Sequence, residues 1–190
     1  MSENNTKTFV QTIKNRSIEN KKSITVLLDN QLFGNSFSII RQELDSMIRV
    51  IYLLNVSDLD QRQDLITQTL SGQKWKLNNK NRKTINITEK DMVELSYSLF
   101  GWTKSVYKFG CAFIHLSDFH NYLVSDPFQK LSYEDREDIV KHVNNYHMTS
   151  LKSDCSIQEF YPLIMTIFEK VSGNLGCYLD SLEKNMNGTD

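Results

Sequence analysis

The chain has 190 residues, 39% of them hydrophobic and 24% charged, with a formal net charge of −1. That length and balance suit a single globular domain able to bury its own core. Two prolines and seven glycines are too few for a turn-rich all-β fold, and no stretch approaches the roughly 20 apolar residues that span a bilayer.

The charge is unevenly spread. Residues 1–83 carry 13 Lys and Arg against 8 Asp and Glu, and residues 84–190 carry 9 against 15. An anionic partner would be steered to the first half; an uneven spread over one helical domain is the plainer account. The start, MSENNTKT, is polar and gives no signal peptide. The expected location is the cytoplasm of a prokaryotic-type cell, with which an Asn- and Lys-rich composition agrees. Cys111, Cys155 and Cys177 form no CxxC pair, and the apolar neighbours of Cys111 and Cys177 predict buried, reduced thiols.

In chain order, residues 1–6 are expected to be disordered. Phe9, Val10 and Ile13 open an amphipathic segment that runs to about residue 33, as one bent helix or two. Ser36 is a candidate cap for the next helix. Phe37, Ile40, Leu44, Met47, Ile48, Ile51 and Leu54 then step by three and four, which predicts a core helix over 37–55. Ser57 and Asp58 start a helix that reaches about residue 70. Residues 73–87 lose all pattern and read as a polar loop. Thr88 caps a long, largely buried helix over about 88–122, with a break near Gly101. Asp126-Pro127 ends that region. Ser132 opens a helix whose inner face is Ile139, Val140 and Val143. Ser156 and Glu159 match a capping box ahead of a long final helix, with Pro162 near its first turn. Residues 186–190 should fray. The pattern predicts an all-α, up-and-down bundle of about five long helices in one domain.

All four histidines fall between residues 107 and 147. His115/His120 and His142/His147 are each five apart, which turns the rings of a pair about 140° from each other on a helix. Neither pair can chelate by itself. Asp118, three residues after His115, could join one histidine from each helix, but the spacing does not predict a metal site. No Gly-rich phosphate loop or nucleophile elbow is present, and no cofactor is expected.

Two other groupings carry chemistry. Arg136 and His142 have an Arg-x5-His spacing. A histidine near neutral pKa can move the 2′-hydroxyl proton of RNA, and a guanidinium can hold the charge that develops on phosphorus. Lys74, Trp75, Lys76, Lys80, Arg82 and Lys83 place five bases and a ring in ten residues without an acid. That combination suits single-stranded nucleic acid, or simply a solvated loop with one anchoring ring. Arg41, Glu43 and Asp45, set into an apolar helix, must face water, pair, or line a site; water is the expected answer for Arg41 and Glu43. A site formed with His115 and His120 is the other arrangement.

At Arg136 and His142 the chain resembles the HEPN superfamily of prokaryotic helical bundles. Its ribonucleases carry Arg-x4–6-His on a late helix, often act as dimers, and many serve toxin–antitoxin or anti-phage systems. GNSFSIIRQELDSMIRVIYLL and FIHLSDFHNY extend the likeness over residues 34–147. Glu137 departs from the pattern, since the family usually places Asn, Asp or His directly after the arginine. The resemblance implies an RNA-binding protein or a metal-independent ribonuclease, with RNA and a second copy as partners. The alternative is a non-catalytic bundle that docks a protein partner.

Overall fold

The structure is a computed structural model describing residues 2–78, 84–114, 120–121 and 124–187. Among these residues there are seven α-helices: α1 Ser2–Asp29, α2 Phe33–Asn55, α3 Leu59–Leu70, α4 Glu89–Phe100, α5 Thr103–Ile114, α6 Tyr133–His147 and α7 Ile164–Asn187. The fold is all-α, with seven helices where about five were expected. No described helix is long and apolar enough to cross a membrane.

The centre is α2, which packs on α1, α4, α5 and α7. Leu44, Met47, Ile48, Ile51 and Leu53 are at most 2% exposed. Fully burying a side chain of this kind stabilises by about 1.5–3 kcal/mol. One apolar cluster joins this stretch to Phe9, Leu65, Trp75 and Leu182. A second joins Phe37 and Ile40 to Phe109, Phe128, Ile139 and Phe168. The helices α1, α2 and α7 contribute to both clusters.

Several boundaries differ from expectation for local reasons. Residues 2–6 are helical, because Asn5 and Thr6 bond across to Thr67 and Gln63 of α3 at 3.2 and 3.0 Å. Residues 186 and 187 belong to α7, and Met186 packs on the core. Ser36 lies inside α2, and its hydroxyl is donated back to the Leu32 carbonyl. Asp58 is the side chain that caps α3. The predicted helix over 88–122 is divided: Gly101, at φ 76°, closes α4 in the left-handed region that glycine enters without strain. The capping box at Ser156 and Glu159 opens a 3-10 segment, Ile157–Leu163, which contains Pro162 and runs straight into α7. Asp126 pins the turn at Pro127, accepting from the Phe128 N–H at 2.8 Å and from the Ile157 N–H at 2.9 Å.

The polar stretch after α3 holds a small antiparallel hairpin, β1 Lys76–Asn78 and β2 Thr84–Asn86. Gln68 of α3 clasps it, accepting from the Lys76 N–H at 2.7 Å and donating to the Lys76 carbonyl at 3.0 Å.

Gly110 sets the distance between α5 and α2. A Cβ there would meet Arg41 Cβ at 2.8 Å, whereas one at Gly173 would meet nothing within 4 Å. Gly110→Ala is therefore expected to lose about 1–3 kcal/mol through overpacking, and Gly173→Ala to gain roughly 0.5–1 kcal/mol of helix stability. Denaturant melts of both variants beside wild type measure this; equal midpoints would contradict the close approach.

Candidate functional site

Two surfaces gather the chemistry-bearing side chains. The first is a groove of about 720 Å3 between the hairpin and the start of α4, whose lining includes Arg49, Lys74, Trp75, Lys76, Thr88 and Glu89. At its inner end lies a network of two arginines and two carboxylates. Arg41 and Asp45 are one helical turn apart on α2, and Arg49 is one turn further, so all three share a face. Arg49 Nε donates to Asp45 at 3.0 Å, and Arg41 Nη1 is 3.8 Å from the same carboxylate. Glu89, at the first position of α4, is 3.5 Å from Arg41 Nη2 and 3.8 Å from Arg49 Nη2. Tyr107 of α5 donates its hydroxyl to Glu89 at 2.6 Å, and its ring lies 3.3 Å from the Arg41 guanidinium carbon. Burial, then the bond to Glu89, hold the Tyr107 phenol far above its ordinary pKa. Arg41 Nε donates to Cys111 Sγ at 3.2 Å.

Arg41 and Glu43 do not face water: they are 5% and 0% exposed. They sit two residues apart and so leave α2 in different directions. Arg41 goes under α5. Glu43 goes between α1 and α7, where Ser17 donates to one oxygen and Asn20 donates to the other at 2.8 Å. Among the described residues, the partners of Arg41 lie on α2, α4 and α5. His120 donates Nε2–H to the Phe113 carbonyl at 3.3 Å, an oxygen that also accepts from Ser38. His115 and Asp118 lie outside the described residues, as do Lys80, Arg82 and Lys83.

Trp75 is not an open stacking surface. It is 3% exposed, gives its indole N–H to Thr69 at 2.7 Å and lies against Tyr52. Lys74 and Lys76 on either side of it are exposed. The ring anchors the hairpin and leaves the cations in water.

The second surface is a pocket of about 50 Å3 between α5, α6 and α7. Its floor is apolar, from Val106, Val143, Ile167 and Val171. Its rim carries Trp102, Tyr146, His142, His147, Lys170 and Asn174. His142 is 3.2 Å from Asp138 through Nε2. Ser105 of α5 donates to the second Asp138 oxygen. His147 is held below its usual pKa, first by burial and then by the Lys170 charge.

Arg136 does not line this pocket. Its guanidinium donates to Gln129, and six residues of helix turn it about 120° away from His142. The Asp138–His142 pairing, one helical turn apart, was readable in the sequence from its spacing. Ser105, Trp102 and Lys170 come from other helices, and no local pattern announces them. Both His142 and His147 line the pocket, and His147 is the last residue of α6. Among the described residues no group of three or more His, Cys, Asp or Glu could hold a metal ion.

The thiols are arranged differently from expectation: Cys155 is buried, Cys111 half-buried and Cys177 exposed. Burial, then the nearby carboxylates of Glu159, Asp126 and Asp154, push the Cys155 thiol up to about 11. A chromogenic disulfide reagent at neutral pH should therefore label Cys177 rapidly, and Cys155 only after denaturation. Loss of the fast phase in Cys177→Ser checks the assignment; a fast phase that survives contradicts it.

No family model matches the chain, and neither curated proteins nor solved structures give a match.

Proposed function

We propose that this chain is an HEPN-like helical bundle of the prokaryotic cytoplasm that binds RNA through the basic hairpin and the groove beneath it. The observation that carries the reading is the separation of charge at that groove. Residues 72–88 hold five bases and no acid. Glu89, the one acidic residue among the described groove-lining residues, is already engaged by Arg41, Arg49 and Tyr107. Lys74 and Lys76 therefore face the groove without a competing carboxylate, an arrangement that suits a phosphate backbone. Choosing RNA over DNA rests on the resemblance.

Binding is the favoured activity, ahead of cleavage. His142, with Asp138 at 3.2 Å, is the side chain a proton transfer would use. Arg136 is tied to Gln129 and turned away, so the Arg136–His142 pair does not come together within the single chain.

Anisotropy titrations of a labelled RNA at about 50–200 mM salt test the reading. Wild type should bind with affinity falling linearly on a log–log scale. Lys74→Ala and Lys76→Ala should each weaken binding and reduce the slope by about 1. Absence of salt-dependent binding, or an unchanged slope in both variants, removes the proposal.

A further inference from the structure

We infer that the aromatic surface around the α5–α6–α7 pocket is a second contact for the same ligand, where unpaired bases of single-stranded RNA stack. The inference rests on the RNA-binding reading above.

The hairpin supplies charge but no open ring, because Trp75 is buried. Exposed rings are instead concentrated where α4 ends and α5 begins, facing the end of α6 and the middle of α7. Tyr97, Phe100 and Tyr146 are 41%, 38% and 49% exposed. They are joined by half-buried rings: Phe100 lies 5.8 Å from Tyr178, and Trp102 lies 6.4 Å from Tyr146. Lone exposed apolar residues need no explanation, but a contiguous set does.

Each end of the set carries a lysine over a ring. Lys170 Nζ is 5.4 Å from the Tyr146 centroid and Lys104 Nζ is 5.5 Å from that of Tyr97. No acidic side chain is among the described residues lining the pocket. Asp138, beside the pocket's His142, has one oxygen bonded by Ser105 and the other 3.2 Å from His142. The surface thus offers rings to bases and ammonium groups to the linking phosphates, with no acid in the described lining of the pocket itself. Sequence-tolerant stacking beside cations is how single strands are held. The pocket itself, at about 50 Å3, is far smaller than the roughly 300–1,000 Å3 of a small-molecule site. It fits the edge of one base with the remainder lying on the rings outside.

The experiment uses the full chain with a 12-nucleotide single-stranded RNA and its duplex, unlabelled for tryptophan emission and end-labelled for anisotropy. Trp102 is one of two tryptophans and the one at this surface. Single strand should quench the emission, and the quench should vanish in Trp102→Phe. In anisotropy, Tyr146→Ala should weaken single-strand binding about 5- to 150-fold, the cost of one lost stack of about 1–3 kcal/mol. Tyr146→Phe should retain the affinity and Lys170→Glu should lose it, while duplex binding stays unchanged in all three. Lys170 is exposed, so its variant remains informative if Tyr146→Ala does not fold.

RNA binding that depends on Lys74 and Lys76 but leaves Trp102 unquenched, and Tyr146→Ala and Lys170→Glu unaffected, overturns this inference and leaves the hairpin reading standing. No RNA binding by wild type removes both. A Trp102 response to a Glu- and Leu-rich peptide but not to RNA would assign the surface to a polypeptide and overturn it as well.

Discussion

A helix that carries an arginine and a glutamate into the protein interior constrains everything packed around it. Arg41 and Glu43 leave α2 in different directions, and each has to find partners where it emerges, because an unpaired buried charge is strongly destabilising. Glu43 is met by Ser17 and Asn20 of α1, and Ser17 in turn bonds Ser172 of α7. Arg41 is met from the other side by Tyr107, Cys111 and Glu89. Two polar seams thereby fix which helices surround α2, while the apolar clusters above and below supply the bulk of the stabilisation. Hydrophobic contact is tolerant of small slides, and hydrogen-bonded ions are not.

The long elements were legible because their apolar residues recur by three and four over several turns. That signal depends only on one face meeting a core, and α2 and α7 supply it amply. The hairpin was not legible. Its strands are three residues each, too short for a period of two, and what orders them is Gln68, eight residues before the backbone it clasps. Of the two readings open for Trp75, a stacking ring or an anchor, burial supports the anchor, and sequence proximity to lysines is no guide to which way a ring points. The same holds for Cys177, whose apolar neighbours lie on the buried side of α7 while it does not. Arg41 and Glu43 failed the usual preference of charges for the surface, since that preference is an average and says nothing of partners on distant helices.

For the candidate sites, chain spacing conveyed half of the geometry. Arg136 and His142 share a helix, which guaranteed nearness in number and, through a turn of about 120°, separation in direction. Asp138 and His142 share a helix one turn apart, and there spacing and space agree. The remaining members, Ser105, Trp102 and Lys170, belong to α5, the turn before it, and α7. Only the packing of those helices around α6 makes them neighbours.

The glycine at 110 has a mechanical consequence. The same short helix, α5, presses Tyr107 onto Arg41 with one side and offers Ser105 to Asp138 with another. A Cβ at Gly110 would meet the Arg41 side chain at 2.8 Å, so α5 already lies as close to α2 as a glycine permits. Side chains of this one short helix reach both Glu89 at the groove and Asp138 beside the pocket. The two surfaces therefore share one structural member, seated on α2 at Gly110.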